Sequence, residues 1–255
     1  MTTDRTLLGV SAVLFVASTA GTVAWCASMS SMGGMPMPGG WTMSMAWMRM
    51  PGQTWSGAAA SFVGMWTLMM VAMMLPSLVP MLRHYRASVG AGAPRLGWLT
   101  VLVGAGYFFV WTAIGVAVFP LGVALAEAAM QQPPLARAVP IGAAVVVLVA
   151  GATQLTAWKA RRLACCRRSA GTLPGDAGTA WRHGVRLGVR CAWCCAGPTA
   201  ILLVAGVMDL RAMAVVAAAI TAERLAPAGE RVARLTGLAA VGAGVLAAAS
   251  ACAAG

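Results

Sequence analysis

Residues Ala58–Leu82 read AAASFVGMWTLMMVAMMLPSLVPML, a run without one charged side chain. A helix needs about 20 predominantly apolar residues to cross roughly 30 Å of hydrocarbon, so this stretch reads as a membrane span. Similar apolar segments fall at about Leu7 to Ala27, Leu96 to Leu125, Val139 to Trp158, Cys191 to Val207, Ala212 to Ala222 and Leu235 to Ala254. The predicted fold is an all-α, polytopic transmembrane helix bundle of six or seven spans. The number is open because Arg211 and Glu223 confine the sixth segment to a length below that of a standard span.

Composition agrees with this reading. Of 255 residues 60% are hydrophobic and only 9% charged, whereas soluble domains carry charge on roughly a quarter of their residues. Little chain is left over for a soluble catalytic domain. The sequence has no glycine-rich phosphate loop ending in Lys-Ser/Thr, no His-Glu-x-x-His and no Gly-x-Ser-x-Gly. With six acidic residues and two histidines, it is not expected to be an enzyme.

The formal net charge of +12 is unevenly placed. Of the 18 Lys and Arg residues, only Arg49, Arg137 and Arg211 fall on one set of alternate loops, and all the others on the opposite set. By the positive-inside rule the N-terminus is cytoplasmic and the loop after the first span is extracytoplasmic. Anionic lipid headgroups account for the basic charge, so no nucleic-acid partner is expected. The expected organisation is a first transmembrane helix at 1–27, a Met/Gly/Pro-rich extracytoplasmic loop at 28–57, and a bundle at 58–255 containing a basic, Cys-containing cytoplasmic loop at 159–190. The first helix is read as retained, because its apolar run is longer than the 7 to 15 residues of a usual signal core.

Sulfur points to function. Methionines 29, 32, 35, 37, 43, 45, 48 and 50 crowd the first loop, and six more lie on the second span. There Met65, Met69 and Met73 recur every four residues and form one ridge of a helix, with Met70 and Met74 on the next. Pro76 and Pro80 are expected to interrupt this helix beside a binding path. Neutral thioethers bind soft Cu(I) and largely ignore hard cations. Methionine also packs irregular gaps as a flexible apolar filler, which would suit one or two positions better than two adjacent clusters. The glycines and prolines of the loop suggest a flexible segment that gathers ligands around an ion.

Cysteines follow on the cytoplasmic side. Cys191, Cys194 and Cys195 have i, i+3, i+4 spacing and share one helical face, where the fifth span is expected to begin. Arg182, Arg186 and Arg190 precede them, and nearby positive charge favours the thiolate that binds metal. Cys165 and Cys166 lie in the basic loop. Glu223, at the end of the short sixth segment, needs a partner in lipid, for which Arg224 and Arg231 are the nearest candidates. Gln154, Thr156 and Lys159 stand where they can hydrogen-bond into the cysteine region, and His84 and His183 flank the same face.

Four stretches resemble a bacterial family of predicted metal-binding integral membrane proteins described as copper chaperone-like. They are Met65-Trp66-x-x-Met69-x-x-Ala72-Met73-Met74-x-Pro76; Gln154-Leu155-Thr156-x-x-Lys159 leading to Cys166; Gly184-x-x-x-Gly188-x-x-Cys191-x-x-Cys194-Cys195; and Met208-Asp209-Leu210-x-x-Met213 leading to Glu223-Arg224-x-x-Pro227-x-Gly229. The chain departs from the family pattern at Arg162, where a cysteine is usual, at Trp193, where glycine is common, and at Ala196, where tryptophan follows the double cysteine. The resemblance implies a membrane metal-binding role, chiefly for copper.

The candidate metal ligands are Met65, Met69, Met73, Met74, Cys166, Cys191, Cys194 and Cys195. The expected cargo is Cu(I); zinc also accepts thiolate but leaves the thioethers unexplained. Delivery to a soluble chaperone and insertion into a membrane oxidase are both open. Rival readings are a membrane thiol-disulfide protein cycling Cys191 with Cys194, and a scaffold subunit without an ion site.

Overall fold

Helices dominate the computed structural model, which describes residues 2–31, 33–50, 52–90, 95–167 and 174–253. In chain order these residues form α1 (Thr2–Ser30), a hairpin of β1 (Met35–Met37) and β2 (Trp41–Met43), α2 (Trp55–Val89), α3 (Leu96–Gln131), α4 (Pro133–Gln154), α5 (Ala157–Arg167), α6 (Ala177–Ala205), α7 (Leu210–Leu225) and α8 (Gly229–Ala253). Six of them, α1 to α4, α6 and α8, are long and apolar enough to cross a membrane. The protein is an all-α, multi-pass membrane bundle. Exposed Val13, Val101, Leu125, Val149 and Leu246 on its outer faces would be untenable in water and suit lipid.

Helix α7 has 16 residues, about 24 Å at 1.5 Å per residue. Met208, just before it, touches Cys26 near the end of α1, while Glu223 near its own end meets Gln154 at the end of α4. Helix α7 therefore runs the same way as α4 and connects the two ends of the bundle, although it is shorter than the six spans.

The centre is α2. It buries 56% of its most apolar window, against 11 to 39% for the other five spans. The expected interruption at Pro76 and Pro80 does not occur, and α2 continues through both to Val89. Packing on several sides holds the helix where two N–H donors are missing, and the Ser77 hydroxyl bonds to the Met74 carbonyl at 3.0 Å.

Two other boundaries differ from the sequence reading. The segment expected to run from Val139 to Trp158 stops at Gln154, because Leu155 and Thr156 bond three residues back and Thr156 Oγ1 then accepts the Lys159 N–H to start α5. Helix α6 begins at Ala177, well before Cys191, under the Asp176 cap, whose carboxylate accepts the Thr179 N–H at 2.9 Å. Hydrogen bonding from Thr179 holds the Asp176 carboxyl below the usual carboxylate range, so the cap persists above that range and is lost as the pH falls through the lowered value. Within 159–190, residues 159–167 and 177–190 are thus helical. Arg182, Arg186 and Arg190 line the exposed face of α6 while Ala180, Gly184, Gly188 and Cys191 are buried on the other.

Helices α3 and α6 lie nearly backbone to backbone. A Cβ on Gly184 would collide with the Val103 carbonyl, and one on Gly188 would come within 2.8 Å of the Tyr107 carbonyl oxygen. Small residues permit such approach in lipid. Gly188→Leu is expected to part the helices at a cost of about 1–3 kcal/mol, read as a lower melting temperature in detergent, with Gly188→Ala milder.

The first loop is also more ordered than its composition suggested. Strands β1 and β2 pair Met35 with Met43 and Met37 with Trp41 across a turn in which Gly39 and Gly40 adopt φ of 97° and 74°. The Trp41 indole N–H bonds to the Ala136 carbonyl at 2.9 Å and seats the hairpin on the α3–α4 corner.

Candidate metal centre

The sequence-predicted sulfurs of α2 and α6 enter one buried cluster. Met65, Met69, Met70, Met73 and Met74 join Cys191, Cys194 and Cys195 there, none of them more than 5% exposed. Their residue spacings explain this: both sets fall on single helical faces turned into the bundle. Cys166 lies on α5, but its side chain falls outside the described residues.

The α6 thiols have a defined setting. Cys191 Sγ and Cys195 Sγ are 3.8 Å apart, one helical turn from each other. The Tyr107 hydroxyl donates to Cys191 Sγ at 2.9 Å, and Arg224 Nη1 donates to the same sulfur at 2.7 Å. Arg224 also reaches α2, with Nη1 donating to Ser77 Oγ at 3.3 Å and Nη2 lying 3.2 Å from Met81 Sδ. One guanidinium thus joins the methionine helix to the cysteine helix. Among the described residues no group of three or more His, Cys, Asp and Glu side chains is gathered to hold a metal. His183 instead stacks on Tyr85 at 5.4 Å, two helical turns before Cys191, and His84 is exposed.

Glu223 forms an ion pair with Lys159 of α5, a partner that its sequence surroundings do not indicate. Lys159 Nζ lies 2.7 Å from Glu223 Oε2, with both side chains at most 3% exposed. Gln154 Nε2 and Thr236 Oγ1 donate to Glu223 Oε1 at 2.6 and 2.8 Å. Lys159 also donates to the Cys194 carbonyl at 2.7 Å. That carbonyl is the one whose helical donor is missing, because Pro198 stands four residues later without an N–H. A cation from α5 therefore completes the cysteine turn of α6 and balances the acid of α7.

Two of the three positions at which the sequence departs from the family pattern, Arg162 and Trp193, also meet. The Arg162 guanidinium lies 5.9 Å from the Trp193 ring centroid and 5.3 Å from that of Trp158, within cation–π range. Where a further thiol was expected, the chain has a contact that fastens α5 to α6.

Tyr107, Ser77, Met81 and the Arg224–Cys191 contact were not anticipated from sequence. Tyr107 carried a signal, since a phenol in an apolar span needs a polar partner. The approach that brings it to Cys191 depends on Gly184 and Gly188 of another helix. A second sulfur-rich place lies near the hairpin end, where six methionines line a cavity of about 70 Å³.

No curated protein matches the chain. No solved structure matches it either. The sequence profile of a family described as copper chaperone matches residues 63–247, which takes in most of α2, the cysteine turn of α6 and most of α8. By that match over most of its length, the chain belongs to the PpoB2 copper chaperone family.

Proposed function

We propose that the protein holds and passes Cu(I), taking it from thioethers at the methionine-rich end and presenting it to thiols at Cys191 and Cys195. The observation that carries this reading is the single buried cluster containing the α2 methionines and the α6 cysteines. Met65, Met69 and Met73 stand one turn apart, about 6 Å of rise each, so an ion can move between weak neutral ligands without returning to water. The donors around Cys191 Sγ suit an anionic sulfur, which holds Cu(I) more firmly than a thioether and sets the direction of transfer. Met74 and Cys194 belong to the same proposed path; Cys166 stands as a candidate for the end where copper leaves. The positive-inside rule makes that the cytoplasmic end, with the N-terminus on the same side of a bacterial inner membrane. The receiver is a soluble chaperone or a membrane oxidase.

Titration of the detergent-purified protein with Cu(I) against a chromophoric chelator tests this. Cys191→Ser with Cys195→Ser should weaken the tighter class of copper by roughly tenfold or more, equivalent to at least about 1.4 kcal/mol. Unchanged affinity, or a reversible Cys191–Cys194 disulfide in protein that takes up no metal, would refute it.

A further inference from the structure

The cavity of about 70 Å³ near the hairpin lies between α1, the segment following β2, the top of α2 and the α6–α7 corner. Met29, Met45, Met48, Met50, Met65 and Met208 line it. These side chains come from four separate parts of the chain, and no Asp, Glu, His or Cys is among the lining residues. Met29, Met45, Met48 and Met50 precede residue 63, where the family match starts, and Met65 and Met208 lie within it.

We propose that this cavity is a thioether-only binding site for a soft monovalent cation, Cu(I), and that it is the mouth of the α2 path. The inference rests on the copper reading given above and assigns it a second, separate site. Methionines that served only as filler would close the space between the helices. Here they surround an opening larger than the roughly 30 Å³ that a water molecule occupies in the liquid. A hard divalent cation would find no anionic oxygen, and nothing in the lining would offset a second positive charge. A monovalent soft ion needs neither, and the unbranched thioether arms can converge on it. Continuity fixes the role. Met65 is at once a wall of the cavity and the first member of the Met65–Met69–Met73 ridge, and it is 1% exposed. On the far wall Met208 Sδ lies 3.9 Å from Cys26 Sγ, which is fully buried. That cysteine gives the pocket a sulfur reserve just behind its thioethers.

The test uses the full-length protein in detergent, under anaerobic conditions, titrated with Cu(I) and with redox-silent Ag(I). Met45→Leu, Met48→Leu and Met50→Leu together nearly conserve volume and leave the α2 ridge and the cysteines intact. Wild-type protein should bind one equivalent of either ion that the triple variant lacks, while the Cys191→Ser, Cys195→Ser variant keeps it. X-ray absorption of that cysteine variant loaded with one Cu(I) should show sulfur neighbours only. Equal stoichiometry and affinity in wild type and triple variant would overturn the pocket, whatever the cysteine variant does. Loss of the weak equivalent with the cysteine variant behaving as wild type would uphold the pocket and remove the transfer reading instead. Zn(II) bound in the cysteine variant and lost in the triple variant would overturn the assignment to a soft monovalent ion. Matched elution and melting profiles of the variants separate a lost site from a lost fold.

Discussion

Glu223→Ala should destabilise the protein by about 3–5 kcal/mol, because it leaves the Lys159 ammonium buried without its carboxylate. Both side chains are at most 3% exposed, so the surroundings offer the cation little to compensate. The damage should spread to α6, where Lys159 also supplies the hydrogen bond that Pro198 denies to the Cys194 carbonyl. Thermal unfolding in detergent followed by tryptophan fluorescence should show a large fall in Tm, with reduced yield from cells. Glu223→Gln keeps an acceptor for Gln154 and Thr236 and should fall less. The double variant Lys159→Met, Glu223→Leu should recover most of the loss, since a buried ion pair replaced by apolar side chains of similar volume is often neutral or better. A single variant as stable as wild type would contradict the pairing.

Trp66→Ala is the second large effect, at about 3–5 kcal/mol for an aromatic side chain removed from a closed interior. Trp66 has no exposed surface, stacks against Phe62 at 6.0 Å and donates its indole N–H to the Trp111 carbonyl at 2.8 Å. It is a cross-strut between α2 and α3, beside the Thr67–Thr112 hydrogen bond. Removing it should loosen the α2 register on which Met65 and Met69 depend, so copper binding should weaken together with Tm. Trp66→Phe preserves most of the packing and loses the hydrogen bond, a smaller change of about 0.5–1.5 kcal/mol. If Trp66→Ala melts as wild type does, α2 is held by something other than this contact.

Much of the bundle was legible because lipid enforces simple rules. Uncharged runs of sufficient length marked the spans, and helical spacing put the α2 methionines on one face and Cys191, Cys194 and Cys195 on another, while the inward direction of those faces came from the packing. What escaped was set by three-dimensional neighbours. Lys159 and Glu223 are far apart in sequence, and nothing local ranks Lys159 above the adjacent Arg224 as the partner. The start of α6 was hidden because Arg182, Arg186 and Arg190 break the hydropathy signal while occupying only its outer face. The methionine loop read as flexible because its glycines and prolines dominate composition, yet two of those glycines build a hairpin turn and Trp41 supplies the anchor. The sequence announced that sulfur was abundant; it could not say which sulfurs would surround an empty space.

The seating of that hairpin has a consequence for biosynthesis. Trp41 bonds to Ala136, which leaves the ribosome 95 residues later. Since chains emerge N-terminal end first, the methionine segment is translated early but has no dock until α3 and the start of α4 have been threaded into the bilayer. Met208, on the far wall of the cavity, arrives later still. The newborn chain therefore exposes its thioethers throughout most of its synthesis and encloses them only when insertion is nearly complete, so a ribosome stalled before residue 136 should leave those methionines open to alkylation.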